Sequence, residues 1–357
     1  MIFLLIKHSK IWSHRLSVRT VGFHPTKRGS IPLGTAKKVM YKIAIIEEIH
    51  KDGIDLLEKN PNFEYEIITD ISEKNLIQKL PLFDACTLRV SKLDEKILKH
   101  CSKLKAISRH GVGYDNVDLN YIKNNNISLL ITATANAVAV AEHVLAMFLA
   151  LSKSIINYDS EVRKGNFKDN AKNIQTYELF NKNILIAGFG RIGKKLISRC
   201  LAFDANVYIY DPYVDEKIIK DLGGIKVNHI EEGLKIADYV SLHMPLTQET
   251  RNLLNYSVFK KMKKNSIIVN TARGGIINET DLEKALNENI IFGSALDVFS
   301  KEPIEKDNPL LKNKKVILSP HSATFTDECT SRMGIETTKN IIDFFENKID
   351  KSMIVKL

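Results

Sequence analysis

The chain has 357 residues, 44% of them apolar, which is enough for two cored domains and does not fit collagen, a disordered tail or a disulfide scaffold. A formal charge of +10 would suggest a nucleic-acid partner, but residues 1 to 40 hold five Lys and three Arg with no acid, while the other 317 residues carry 44 bases against 42 acids. The body is therefore nearly neutral and lacks interleaved basic and aromatic residues, so a nucleic-acid surface is excluded.

In chain order, the first forty residues are basic, acid-free and scattered with Ser and Arg, as in an organellar transit peptide. "MYKIAIIEE" at Met40 looks like a natural beginning, which makes residues 1–40 a dispensable extension or a targeting segment. The run "IFLLI" is far short of a bilayer span and precedes the basic residues, so neither a membrane helix nor a secretory signal is expected. The expected location is cytoplasmic, or organellar if residues 1–40 are a transit peptide. Cys86, Cys101, Cys200 and Cys329 form no CxxC pair and have no metal-ligand spacing, so they read as small core residues kept reduced, with no metal site.

From Met40 onward short β-rich runs, "KIAIIE", "YEIIT", "FDACTL", "LKAIS" and "ISLLI", alternate with amphipathic stretches, the rhythm of a parallel, doubly wound sheet. Around Asn136 the rhythm breaks, and "NAVAVAEHVLAMFLALSKSIINYDSEVRKG" reads as one long, mostly apolar helix. A second series follows: "NILIAG", "NVYIY", "DYVSL", "SIIVNT", "FGSALD" and "KVILS". The expected class is α/β, with two doubly wound parallel-sheet domains and a cleft between them. The closing segment "RMGIETTKNIIDFFENKI", with Ile335, Ile341, Ile342 and Phe345 at helical spacing, is expected to cross back onto the first domain.

Strand "NILIAG" runs into "GFGRIG" and then into the helical "KKLISRCLAF". This is the context a dinucleotide-binding turn requires: Gly188 permits the tight turn, Gly190 lets backbone approach a pyrophosphate, and Gly193 lets helix and strand pack closely. The helix N-terminus offers free N–H groups and partial positive charge to phosphates. At the end of strand "NVYIY" stands Asp211, placed to accept hydrogen bonds from ribose hydroxyls and to repel a 2′-phosphate, which selects NAD over NADP. The alternative reading of Asp211 is a turn cap before Pro212.

Ligands of such sheets sit at the carboxyl ends of the strands. There "SIIVNTARGG" delivers Arg273, "GSALDVFSKEP" delivers Asp297 and Glu302, and "VILSPHSAT" delivers His321. Hydride transfer from a 2-hydroxy acid needs a base for the hydroxyl proton, a cation for the carboxylate and a group that holds the base correctly charged. A histidine, an arginine fork and a nearby carboxylate supply these three.

"GFGRIG", "YDP", "LHMPLTQETRNLLN", "NTARGGIINETDLEKAL", "ALDVFSKEP" and "LSPHSA", in this order, resemble the D-isomer-specific 2-hydroxyacid dehydrogenase family, closest to its 3-phosphoglycerate dehydrogenase branch, over about residues 41 to 350. The resemblance implies a Rossmann NAD-binding domain over residues 139–321 and a flavodoxin-like substrate-binding domain over residues 41–138 plus 322–357. It also implies that His321 is general acid and base with Glu302 as its partner, and that Arg273 binds and orients substrate. Arg191 and Ile192 correspond to the backbone at the pyrophosphate. Thr271, Ala272 and Asp297 are implied on the nicotinamide side, with Ser322 and Ala323 just beyond the histidine and His243 near the dinucleotide. "ISRHGVGYDNVD" resembles the family's substrate loop, in which the backbone of Gly111, Val112 and Gly113 meets the substrate carboxylate; glycine-rich turns bind anions well in their own right. Arg89 matches a family arginine that pairs with the substrate's distal group, and Asn136 either lines the cleft or is an ordinary N-cap. A homodimer or larger assembly is implied too.

His110 and His143 are single and unpaired, so both read as structural, and "KKMKK" at 260 to 264 as a solvated helix face. The chain stops about where the catalytic core of longer phosphoglycerate dehydrogenases stops, so feedback through an appended amino-acid-binding domain is not expected. The Pro and Gly usual before the hinge asparagine are replaced in "TATANAV", and the loop around Arg89 is short, which leaves 3-phosphoglycerate, hydroxypyruvate with glyoxylate, or another D-2-hydroxy acid as substrate. The rival from another class is a non-catalytic NAD-sensing binding protein of the same fold.

Overall fold

The computed structural model describes residues 40–167 and 174–357. The basic stretch 1–39 lies outside the described residues. Two parallel sheets organise the rest. The first has five strands, β1 (Tyr41–Ile46), β2 (Phe63–Ile68), β3 (Ala85–Leu88), β4 (Ala106–Arg109) and β5 (Ser128–Ile131), in the order β2-β1-β3-β4-β5. The second has seven, β6 (Asn183–Ala187), β7 (Asn206–Tyr210), β8 (Ile225–Lys226), β9 (Tyr239–Leu242), β10 (Ile267–Asn270), β11 (Gly293–Leu296) and β12 (Val316–Leu318), in the order β12-β11-β10-β9-β6-β7-β8. The first order is that of flavodoxin-like sheets, and the second contains the six-strand dinucleotide-binding order, both with a switch point where ligands bind.

Central strands of such sheets are covered on both faces, so their sequences are continuous apolar runs rather than alternating ones. Ile43 to Ile46 in β1 and Ile184 to Ala187 in β6 are all 0% exposed. Burying one such aliphatic side chain contributes about 1.5–3 kcal/mol.

The long connecting helix expected from the sequence is two helices, Ala137–Ser152 and Ile155–Arg163, bent by 57° at the break. The cause is local: Ser154 takes a left-handed conformation, φ +52 and ψ +35, and its Oγ accepts from Asn157 Nδ2 at 2.9 Å. Serine side chains that bond local groups compete with helix continuation. Ala137–Ser152 buries Val140, Val144, Met147, Phe148 and Leu151, and packs against the helix Arg191–Leu201, β10 and β11. No single helix among the described residues is long and apolar enough to cross a membrane.

The helix Asp327–Phe345 begins where Thr326 Oγ1 accepts the Cys329 amide at 3.2 Å. It packs on the first sheet and on the helix Lys51–Glu58. The approach is close: a Cβ on Gly53 would stand 2.5 Å from Gly334 O. Asn340 Nδ2 donates to Ile131 O at 3.0 Å, and Ser108 Oγ to Thr337 O at 2.8 Å. The chain therefore crosses between the sheets twice, near residues 132–137 and 319–326.

The "KKMKK" segment is not a helix face. The helix Tyr256–Phe259 ends before it, Met262 turns inward at 8% exposure, and Lys263 Nζ donates to both oxygens of Asp238 at 3.1 Å. An apolar Met between charged neighbours pulls one side of the turn into the core.

Candidate active site

The glycine turn after β6 is shaped by close approach. Gly188 stands at φ +99, and a Cβ there would lie 2.7 Å from the backbone of His243, so only glycine lets β6 and β9 meet. A Cβ on Gly193 would lie 2.6 Å from Gly188 O. Gly190 differs, since nothing is within 4 Å of a Cβ placed on it. The helix Arg191–Leu201 starts at Gly190 with no side-chain cap, so the first-turn N–H groups at Arg191 and Ile192 are available to an anion.

Asp211 holds this turn. Its Oδ2 accepts from Phe189 N at 2.8 Å and its Oδ1 from Tyr213 N at 2.9 Å. The turn-capping reading and the glycine-turn reading thus meet in one carboxylate, which keeps lone pairs free for further donors. His243 follows β9 with Nε2 2.8 Å from Ser241 Oγ, and burial pushes its pKa down to about 4, so the ring is neutral. His243 Nδ1 and Thr271 Oγ1 are buried without a hydrogen-bond partner among the described residues. Such orphans ask for a ligand. Together with the open space at Gly190 and the uncapped helix start, they fit a dinucleotide.

Three strand-end loops build the second part of the site. After β10, Asn270 accepts from Ala272 N at 3.0 Å and donates to Arg273 O at 2.8 Å, a local brace that presents Arg273. A Cβ on Gly274 would lie 1.8 Å from Phe299 O, so the loops after β10 and β11 touch. In the next loop Glu302 Oε1 accepts from Phe299 N at 3.0 Å. After β12, His321 Nδ1 donates to Glu302 Oε2 at 2.8 Å.

Each member of this pair tunes the other. The hydrogen bond to Glu302 raises the His321 pKa above that of a free imidazole, burial opposes it, and the charges of Glu302 and Asp297 add to the rise while Arg273 subtracts. For Glu302, burial works to raise the carboxyl, but the His321 hydrogen bond, the Phe299 amide and the charges of His321 and Arg273 outweigh it and leave the pKa lowered. The outcome is a carboxylate facing an imidazole that readily holds a second proton.

Arg273 reaches from the second sheet to the first. Its Nε donates to Asp115 Oδ2 at 2.8 Å and its Nη1 to Ala272 O at 2.6 Å. Asp115 follows the glycine turn after β4, where Gly111 stands at φ +146. A Cβ on Gly113 would lie 1.4 Å from Arg273 Nη2, so the guanidinium rests against bare backbone. The carboxyl ends of the two sheets therefore meet at Arg273, Gly113 and Asp115, beside Val112.

Arg109 underpins that turn. It donates to Asn116 Oδ1 at 3.2 Å, Leu88 O at 3.1 Å and His110 O at 3.0 Å, and burial followed by the charge of Arg273 brings its pKa down to about 10. Arg89 donates to Glu48 O at 2.8 Å and is close enough to lower Arg109 and His110 electrostatically. Three arginines thus gather at one end of the first sheet. His110 is pushed down to about 4, first by burial and then by Arg89 and Arg109.

Some expected roles meet a different geometry. Asp297, expected on the nicotinamide side, is 1% exposed. Its oxygens accept from Ser319 Oγ at 2.5 Å, Ser322 N at 2.8 Å and Ala323 N at 3.0 Å, because a buried carboxylate needs donors. Ser322 and Ala323 act here through their amides. Asn136 stands at the start of Ala137–Ser152 without capping it, and its buried Oδ1 lacks a partner among the described residues, so the N-cap reading does not hold. Arg109, Asp115 and Asn270 went unread in the sequence. The first two lie inside "ISRHGVGYDNVD", where a basic residue precedes the glycine turn and an acid follows it two positions after Gly113.

Residues 145–323 match the family model described as D-isomer specific 2-hydroxyacid dehydrogenase, NAD binding domain. The chain is 34% identical over 316 residues to D-3-phosphoglycerate dehydrogenase of Methanocaldococcus jannaschii, covering 88% of this chain and 59% of that protein. It is 31% identical over 319 residues to glyoxylate reductase of Korarchaeum cryptofilum, covering 88% of this chain and 95% of the relative. Among solved structures, D-lactate dehydrogenase from Aquifex aeolicus complexed with NAD and lactic acid superposes with a TM-score of 0.77 at 28% identity, over 88% of this chain and 98% of that one. The phosphoglycerate dehydrogenase relatives are longer, and this chain spans 59% and 57% of two of them. By sequence and by fold, the chain belongs to the D-isomer specific 2-hydroxyacid dehydrogenase family.

Proposed function

We propose that this chain is an NAD-dependent oxidoreductase that interconverts a D-2-hydroxy acid and its 2-keto acid, with 3-phosphoglycerate the favoured substrate. The observation that carries the reading is the His321–Glu302 hydrogen bond of 2.8 Å on the second sheet, with Arg273 laid against Gly113 of the first.

When bound, NAD supplies the hydride acceptor for oxidation, and its reduced form the donor for reduction. Arg191 and Ile192 hold the pyrophosphate with their backbone, Asp211 takes the ribose, and Thr271 and His243 have unpaired polar atoms to offer the dinucleotide. Arg273 and the amides of Gly111, Val112 and Gly113 hold the substrate carboxylate. His321, with Nδ1 committed to Glu302, moves the reacting proton through Nε2. In reduction the imidazolium gives that proton to the carbonyl oxygen; in oxidation the neutral ring takes it from the hydroxyl. Glu302 stabilises the imidazolium in both directions.

Arg89 and Arg109 near Arg273 favour a second anionic group on the substrate, which a phosphate supplies. Relatives named D-3-phosphoglycerate dehydrogenase agree with that choice. A second reading, reduction of glyoxylate or hydroxypyruvate, draws support from the glyoxylate reductase relative matched over 95% of its length. Residues 41–138 and 322–357 bind substrate, and residues 139–321 bind cofactor. The chain forms a homodimer or larger assembly through the cofactor-binding part, where the helix Ile155–Arg163 buries no residue and exposes Ile155, Ile156 and Val162 by 53% to 56%. Four buried free cysteines agree with a reducing compartment, the cytoplasm or an organelle.

NADH oxidation with a panel of 2-keto acids, 3-phosphohydroxypyruvate, hydroxypyruvate and glyoxylate among them, tests the reading. Turnover is expected, fastest with the phosphorylated acid. A preference for glyoxylate selects the second reading, and no turnover on any acid returns the chain to an NAD-sensing binding protein.

A further inference from the structure

His143 has no part in the reaction as derived above, yet it reaches the loop of the reacting histidine. It lies on the helix Ala137–Ser152, which carries the chain from the first sheet to the second. Its Nε2 is 3.2 Å from Ser319 Oγ, and Ser319 Oγ donates to Asp297 Oδ1 at 2.5 Å. The same carboxylate accepts the amides of Ser322 and Ala323 at 2.8 and 3.0 Å. Asp297 thus grips the chain on both sides of His321.

That grip is needed because His321 stands at φ +51, a left-handed conformation that a side chain with a Cβ rarely adopts. Its own amide turns back onto Ser319 O at 3.1 Å. Such a residue stays in place only where its neighbours over-determine it. Asp297, 1% exposed, and the half-buried Ser319 do so from behind the loop.

Proton counting sets the direction of the chain. A serine hydroxyl has one proton, and that of Ser319 goes to the carboxylate. His143 must then be the donor, through Nε2–H. The other tautomer would aim a ring lone pair at Ser319 Oγ and toward Asp297 Oδ1, 3.7 Å away.

We propose that His143 is a positioning residue for the reaction: its Nε2–H holds Ser319, and through Ser319 and Asp297 it keeps the His321 loop in reacting geometry. The role rests on the reading of His321 as the acid and base. It goes beyond a merely structural histidine, because removing the donor alters the reaction rather than the fold.

The test uses His143→Leu, which removes the donor; His143→Gln, which keeps an amide donor on a side chain of similar reach; and Ser319→Ala. In His143→Leu, kcat for keto-acid reduction is expected to fall roughly fivefold, about 1 kcal/mol at 1.36 kcal/mol per tenfold. KM for NADH and the melting temperature stay as in the unmutated protein, and His143→Gln restores most of the rate. The double variant of His143→Leu with Ser319→Ala is expected to be no slower than Ser319→Ala alone, since both act on one chain. Independently of activity, NMR of isotope-labelled histidine is expected to show His143 as the Nε2–H tautomer, with a signal that shifts in Ser319→Ala. An unchanged kcat in His143→Leu, additive losses in the double variant, or an Nδ1–H tautomer would overturn the role. Absence of turnover in the unmutated protein overturns the acid and base reading and this role with it, whereas normal turnover with an unaffected His143→Leu overturns this role alone.

Discussion

Gly113→Ala tests the Arg273 geometry without removing any polar group. The added Cβ would lie 1.4 Å from Arg273 Nη2 and 2.6 Å from Cζ, with Asp115 Oδ2 at 3.3 Å. Gly113 is not among the positive-φ glycines, so its backbone tolerates alanine, and the nearest atoms belong to the far end of a flexible side chain. The fold is therefore expected to survive while the guanidinium leaves its place between Asp115 and the glycine turn. One charge-assisted hydrogen bond lost from substrate is worth about 1.5–3 kcal/mol. At 1.36 kcal/mol per tenfold this becomes a fall of roughly 10- to 150-fold in kcat/KM for keto-acid reduction. The assay is steady-state NADH oxidation, run beside a binding titration with NADH and a thermal melt. NADH affinity and melting temperature are expected to hold. An unchanged kcat/KM would refute the placement of Arg273 at the substrate carboxylate, and a collapsed melting transition would refute the claim that only the side chain yields.

His321→Ala is expected to keep NADH binding and lose turnover by a factor of roughly 100 or more, read from kcat against NADH titration. Glu302→Gln weakens the hydrogen bond to the ring and removes the charge, both of which raise the His321 pKa; since reduction needs the protonated ring, the alkaline limb of the kcat/KM profile for keto-acid reduction moves to lower pH, and a limb that stays in place would show that another group sets it. Gly190→Ala meets nothing within 4 Å, so it is expected to melt normally while NADH binding, measured by titration, is weakened by a Cβ in the space kept for pyrophosphate. Gly188→Ala, at φ +99 and 2.7 Å from His243 backbone, is expected instead to lose about 1–3 kcal/mol of stability, read as a lower urea midpoint.

Elements whose physics is local were legible in the sequence. Strands such as β1 and β6, buried on both faces, had to be written as unbroken apolar runs. Gly188 and Gly193 had to be glycine because a Cβ on either would strike backbone. Glu302 and His321 were legible as strand-end residues of the second series, 19 positions apart. Tertiary structure decided what lies between distant segments. Asp115 and Arg273 are 158 positions apart and belong to different sheets, so no pattern in either stretch announces their ion pair. His143 looked like a solitary ring on an apolar helix until Ser319, 176 positions on, was placed beside its Nε2. The break at Ser154 escaped for a related reason: periodicity reports which face is apolar, while a left-handed serine held by Asn157 is settled by side-chain geometry. Local sterics and burial are written residue by residue, whereas a hydrogen bond across two sheets exists only once both sheets have formed and packed.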